Sequence, residues 1–179
     1  YEKLPIDERF ARASYLLETQ GIAVFRLGSM QDDVRGFCLT DTPMPVIAVK
    51  KLDDAAAQMF TLFHELGHVL LRTNGICNLD ESSRAAGIEV WCNRFSGAML
   101  LPFDRLTQHP VVLEQKAKGQ PQWDNENLGK LARAFGVSRF VVLRRLVAAG
   151  LASPAFYQKM HDQWVSKQSA GGFAGGGKP

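Results

Sequence analysis

Two histidines four residues apart, His64 and His68, stand with a glutamate in His64-Glu65-Leu66-Gly67-His68, inside the apolar run from Met59 to Leu71. On a helix, positions i and i+4 share a face with Cβ atoms roughly 5–6 Å apart, near enough to hold one metal ion. A carboxylate beside the first histidine is where metal-assisted hydrolysis needs a base. This is the spacing of the zinc-protease helix, and it points to a metallopeptidase.

The surroundings favour that reading over two ordinary helix histidines. Leu62, Leu66, Val69 and Leu70 form one apolar stripe, while Thr61, His64, Glu65 and His68 gather on another side. Such a polar group in a buried helix is costly without a compensating partner. Gly67 costs about 1 kcal/mol against alanine in a helix interior. Its presence implies that another backbone, or a substrate strand, comes close there.

Catalytic zinc sites take three protein ligands and leave the fourth position open. The metzincin continuation is excluded, because Leu71 and Asn74 stand where it needs Gly and His. Downstream, Cys77, Asp80, Glu81, Glu89 and Cys92 remain as candidates. Glu89 is favoured by position, in a second helix from about Ser83 to Leu101. One face of it carries Glu89, Cys92, Asn93 and Ser96, a polar stripe so narrow that it must face something polar inside the fold, and the opposite side is apolar with Val90, Trp91, Phe95 and Met99. Asp80 or Ser82 reads as the cap of this helix. Cys92, one turn from Glu89, reads as a small buried thiol rather than a ligand.

Phe60-Thr61-Leu62-Phe63-His64-Glu65-Leu66-Gly67-His68-Val69-Leu70-Leu71, then Glu89-Val90-Trp91-Cys92-Asn93-Arg94-Phe95 and Leu100-Leu101-Pro102, resembles the ImmA/IrrE family of metallopeptidases. The likeness runs from about Ile22 to Leu151. Two departures are visible: Cys92 stands where the family pattern has alanine, and Ser96-Gly97 replaces a more helix-favouring pair. The resemblance implies a zinc-dependent endopeptidase, with manganese as the alternative metal. It implies His64, His68 and Glu89 as metal ligands and Glu65 as the catalytic base. Asn93, one turn beyond Glu89, is placed to orient a ligand imidazole. Characterised relatives cleave helix-turn-helix repressors and release stress-response, mobile-element or prophage genes. Some are paired with such a regulator in toxin–antitoxin fashion, so the implied partner is a protein substrate, a repressor or antitoxin.

The elements needed to position these residues are legible. Asp7 to Gln20 has apolar residues at helical spacing and is stopped by Gly21. Ile22–Leu27, Val34–Leu39 and Val46–Val49 read as strands, separated by Asp32-Asp33 and Thr42-Pro43-Met44-Pro45 turns. Asp53-Asp54 supplies the cap of the histidine helix. The fold class expected is α+β: a small sheet packed on the HExxH helix in a zincin-like core, followed by a helical C-terminal region. An edge of that sheet, Val34–Leu39 or Val46–Val49, would hold substrate backbone by strand addition.

The last third raises a rival. Leu128 to Leu146 resembles a helix-turn-helix unit in which Gly136 turns, Ser138 caps, and Leu131, Phe135, Val142 and Leu146 form the core. Residues 124–150 hold five basic side chains (Lys130, Arg133, Arg139, Arg144, Arg145) and two acidic ones (Asp124, Glu126), a bias too mild for a DNA reader. Its second helix opens on Phe140-Val141-Val142, where base-reading groups would stand. Specific DNA binding is therefore not expected, and a packing unit or partner platform is. The boundaries expected are 1–122 for the peptidase core, 123–168 for the helical region and 169–179 for a flexible glycine-rich tail. A helix is also expected around Ala155–Lys167, and His109 and His161 read as surface histidines.

Composition agrees. A chain of 179 residues with 46% hydrophobic and 22% charged residues can bury one good core and belongs with globular proteins. Three scattered cysteines (Cys38, Cys77, Cys92) argue against a disulfide framework and for a reducing cytoplasm. No apolar run is long enough to span a membrane. The rivals to a regulatory protease are a catalytically silent, metal-containing partner protein and a DNA-binding regulator. An intact Glu65 favours the protease, since a structural metal site has no use for a base beside its ligand.

Overall fold

The computed structural model describes residues 4–31, 33–41, 43–73, 75–76, 83–119 and 123–170. Cys77, Asp80, Glu81, Ser82 and the tail beyond Ala170 lie outside the described residues, as do Asp32 and Thr42 of the two expected turns. The fold is α+β, and the chain divides into two compact units, Tyr1–Leu100 and Leu101–Pro179.

The first unit opens with α1 (Ile6–Thr19), which ends at Gly21 in the left-handed region (φ 79°). Strands β1 (Ala23–Leu27), β2 (Gly36–Leu39) and β3 (Val46–Lys50) follow, then α2 (Ala55–Leu71), the short β4 (Gly75–Ile76) and α3 (Ser83–Leu100). The sheet order is β1-β3-β2-β4. β3 runs parallel to β1, with Ala23 opposite Val46, and antiparallel to β2, with Gly36 opposite Val49. Its unbroken Val-Ile-Ala-Val run reflects cover on both faces, since such a strand has no reason to alternate. Ile47, Ala48 and Val49 are all buried. The Val46–Val49 segment is therefore not an edge. β2 is flanked by β3 and, at Phe37 and Cys38, by β4, which leaves β1 and β4 outermost.

Phe10 and Ala13 from α1, Cys38, Ile47 and Val49 from the sheet, and Met59, Leu62, Phe63 and Leu66 from α2 make one core. The Asp54 carboxylate caps α2 by accepting from the Ala57 amide at 2.8 Å, satisfying a helix N–H that has no partner in the helix. Leu70, assigned to the apolar stripe, is 58% exposed and outside this core. Thus α2 is buried along its central turns and emerges only at its end.

The second unit is helical: α4 (Phe103–Thr107), α5 (Pro110–Ala117), α6 (Asn125–Phe135), α7 (Arg139–Ala148) and α8 (Pro154–Ala170). Helices 103–117 thus group with the later helices, whereas the sequence placed them with the peptidase core. Gly136 closes α6 in the left-handed conformation (φ 67°), and Ser138 Oγ caps α7 by accepting from Val141 N at 3.3 Å. Leu131, Phe135, Val142 and Leu146 are buried as expected. The Trp123 indole is buried and donates to the Leu151 carbonyl at 2.7 Å. His109 is a helix cap as well as a half-buried histidine: its Nδ1 accepts from Val111 N at 3.3 Å. α8 runs to Ala170, three residues past the helix end read from sequence. No helix among the described residues is long and apolar enough to cross a membrane.

Candidate metal centre

α2 carries His64 and His68 on the side met by Glu89 of α3, with Glu65 toward β2, and all three are buried to 2% exposure or less. α3 brings Glu89 against them. Glu89 Oε2 lies 3.0 Å from His64 Nε2, Glu89 Oε1 lies 3.1 Å from His68 Nε2, and the two Nε2 atoms are 3.2 Å apart. One donor atom from each residue falls within 4.8 Å of the others, the convergence a single ion requires. Burial lowers both imidazole pKa values against the opposing pull of Glu89, so the rings are held neutral and able to offer a lone pair.

Each ring has a polar partner on its far nitrogen. His64 Nδ1 is 3.2 Å from Asn93 Oδ1, and His68 Nδ1 is 3.2 Å from Thr73 Oγ1. With the Nδ1 protons directed to these oxygens, both Nε2 lone pairs face Glu89.

Glu65 is fully buried, and among the described residues neither carboxylate oxygen has a hydrogen-bond partner of good geometry. Burial pushes its pKa up to about 8; the neighbouring Cys38 thiol pulls it down a little, and Glu89 adds a further push upward. A carboxylate left unpaired in the interior is expensive unless a cation or a protonated ligand compensates it. Two neutral imidazoles, one carboxylate and an orphaned second carboxylate form a cluster rich in electron pairs and short of positive charge. It fits a divalent transition ion.

A model of the Peptidase_M78 family, the IrrE N-terminal-like domain, matches residues 17–147. The chain belongs to this family. No curated protein matches the sequence. Among solved structures, a Mycobacterium tuberculosis transcriptional regulator superposes with a TM-score of 0.54 at 20% identity, over 82% of this chain and 43% of that one. This likeness carries the fold alone. The present chain spans less than half the length of that structure.

Within the IrrE N-terminal-like domain the structure brings together all four residues read from sequence, His64, Glu65, His68 and Glu89. Asn93 meets His64, as its position one turn beyond Glu89 implied. Cys92 is buried on the α2–α3 contact, outside the converging group, and burial together with Glu89 and Glu65 pushes its thiol up to about 12. The Glu89-Cys92-Asn93-Ser96 stripe faces α2 inside the fold, as its narrowness implied, with Ser96 Oγ donating to the Phe60 carbonyl at 2.8 Å. Val90, Trp91 and Met99 on the other side are 48%, 41% and 47% exposed. Trp91 stacks on Phe95 at 5.3 Å between ring centroids.

Sequence reasoning missed Thr73, Cys38 and Gly36. Thr73 follows the helix and carries no motif. Cys38 Sγ donates to the Thr73 carbonyl at 3.7 Å and borders Glu65. Gly36 lets β2 lie against α2, since a Cβ there would overlap Thr61 Cγ2 and come within 3.5 Å of Glu65 Cγ.

Proposed function

We propose that this chain is the catalytic part of a zinc-dependent endopeptidase, with manganese as the alternative metal, whose substrate is a helix-turn-helix repressor or antitoxin. The observation that carries the reading is Glu65: a buried carboxylate that, among the described residues, no cation compensates, set beside three groups that converge as metal ligands. A structural metal site would not keep such a group. His64, His68 and Glu89 would hold the ion, which when bound supplies Lewis acidity and lowers the pKa of water toward about 7.

Glu65 then has two tasks. It accepts a proton from the attacking water and later delivers it to the leaving amine. Asn93 keeps the His64 ring in register through Nδ1. The membership in a peptidase family supports a protein substrate. The choice of a repressor, and a setting in stress response, mobile-element control or a toxin–antitoxin pair, rests on the family resemblance. The description of the mycobacterial structure as a transcriptional regulator is in keeping with a regulatory setting. Two buried cysteines that form no disulfide, Cys38 and Cys92, are in keeping with a reducing cytoplasm.

The test is to incubate the chain and its Glu65→Gln variant with the helix-turn-helix protein encoded beside it and compare fragments on a gel. Wild type is expected to cut, and the variant to keep its metal and its fold while cutting nothing. Equal cutting by both would remove Glu65 from the base role. An uncut repressor with metal-loaded wild type would remove that substrate.

A further inference from the structure

We infer that Thr73 is a positioning residue for His68, holding its imidazole in the tautomer that presents Nε2 to the metal centre. The inference rests on the metal centre proposed above and extends it to a residue outside both helices' motifs.

The end of α2 brings Thr73 to the ring. Thr73 N donates to His68 O at 3.0 Å and Arg72 N donates to Val69 O at 3.1 Å. These are the six-to-one and five-to-two bonds of a Schellman termination, with Arg72 at the left-handed position usually given to glycine. Arg72 adopts φ 52° and is the one non-glycine residue with positive φ among the described residues. That conformation costs about 1 kcal/mol or more for a residue with a side chain. In return, the chain folds back so that residue 73 lies beside the residue five before it. Thr73 is fixed on its other side too, its carbonyl accepting from Cys38 Sγ on β2 at 3.7 Å.

The hydroxyl completes the geometry. His68 Nε2 lies 3.1 Å from Glu89 and 3.2 Å from His64 Nε2, so a metal held there needs the Nε2 lone pair and leaves the ring proton on Nδ1. Nδ1–H has Thr73 Oγ1 as its acceptor at 3.2 Å, and the threonine hydroxyl passes its own proton to the His68 carbonyl at 3.4 Å. Donors and acceptors match along this path only when Nδ1 carries the proton, which in the neutral ring leaves the Nε2 lone pair free. Asn93 performs the same service for His64, so each ring has one polar side chain on its far nitrogen. The backbone of residue 73 alone makes the helix termination. The hydroxyl's long bond to the His68 carbonyl only adds to the shorter one that the Thr73 amide makes there, so its distinct task is at the ring.

That division sets the experiment. Metal-depleted wild type, Thr73→Val, Thr73→Ala and Thr73→Ser are titrated with Zn2+ against a chromophoric chelator, and the metal-free forms are melted. Thr73→Val and Thr73→Ala are expected to lose roughly 10–100-fold in zinc affinity, and Thr73→Ser to stay within about threefold of wild type. Metal-free melting of Thr73→Val is expected to stay close to that of wild type. Zinc affinity unchanged in both hydroxyl-free variants would overturn the role of Thr73 while leaving the metal centre standing. So would Thr73→Ser falling as far as Thr73→Val, because a variant that keeps the hydroxyl would then do no better than one that lacks it. Failure of wild type itself to bind zinc would overturn the centre and this inference together.

Discussion

Gly67 faces Cys92 so closely that a Cβ added at Gly67 would lie 3.0 Å from the Cys92 sulfur and 3.3 Å from its Cα. The backbone whose approach Gly67 implied is therefore that of α3. This contact sets the separation of the two helices that carry His64, His68 and Glu89.

It follows that Gly67→Ala forces α2 and α3 apart by a few tenths of an ångström. The gain in helix propensity, about 1 kcal/mol, works against an overpacking cost of about 1–3 kcal/mol. A net loss on the order of 1 kcal/mol is expected. Cys92→Ala removes the sulfur but leaves the backbone contact, so the double variant should recover part of the loss. Urea unfolding of the four chelator-treated proteins measures this as a double-mutant cycle. Strict additivity would show that the sulfur does not limit the approach.

Metal content tests the ligand set directly. His64→Ala, His68→Ala and Glu89→Ala are each expected to lose the single metal ion, because each supplies one of the three converging donor atoms. Cys92→Ala is expected to keep it. Full occupancy in Glu89→Ala, by elemental analysis of the purified protein, would strike that residue from the set.

Much of this centre was legible because it lies on helices whose spacing is regular. His64 and His68 share a face by the i, i+4 rule, and Glu89 stood out on a narrow polar stripe. The interior run Val46–Val49 was readable as a strand, but its neighbours were not. β4 has two residues, too few for any alternation, and it decides that β2 is covered at Phe37 and Cys38. Thr73 was invisible for a different reason: its contact with His68 depends on one left-handed residue, Arg72, of a type that does not announce that conformation. The orientation of α3 was legible from its narrow polar stripe, with Val90, Trp91 and Met99 on the far side. Burying Cys92, Ser96 and the inner edge of Glu89 leaves those three on the outer surface.

Gly36 offers a sharper packing test. A Cβ there would overlap Thr61 Cγ2 and lie 2.9 Å from the Ala48 carbonyl oxygen. The carbonyl belongs to the interior strand and cannot move without breaking the sheet. Gly36→Ala should cost on the order of 3 kcal/mol, and adding Thr61→Ser should return only part of it. A melting temperature unchanged by Gly36→Ala would mean that β2 stands further from α2 than described.

Thiol chemistry should follow burial. Cys92 is fully buried and its pKa is pushed up to about 12, so at pH 8 it stays protonated and shielded from solvent. Cys38 is 1% exposed. Both are expected to resist iodoacetamide in the native protein and to react fully in guanidinium, as read by mass spectrometry of the digested chain. Rapid native labelling of Cys92 would show that the α2–α3 contact opens readily.

The helix-turn-helix unit separates a protease from a DNA reader, and its outward face is already in use. Phe140 of α7 packs edge-on against Trp164 at 4.8 Å and His161 at 5.6 Å, both on α8. Arg144 Nε donates to the Tyr157 hydroxyl at 2.9 Å, again on α8. Val141 and Val142 are buried. Of the remaining basic residues, Lys130 pairs with Glu126 at 2.8 Å and Arg145 donates to the Leu101 carbonyl at 2.9 Å. Arg133 and Arg139, side by side over Gly129, are left to meet phosphates. Two or three phosphate contacts give a salt slope no steeper than about −2 to −3, which makes binding weak and indifferent to sequence. Fluorescence anisotropy with unrelated duplexes across a salt series is expected to show that behaviour, and Arg139→Ala to flatten the slope by about 1 while leaving repressor cleavage nearly intact. Tight binding to one sequence at physiological salt, lost with Arg139→Ala, would instead promote this unit to a DNA-binding regulator.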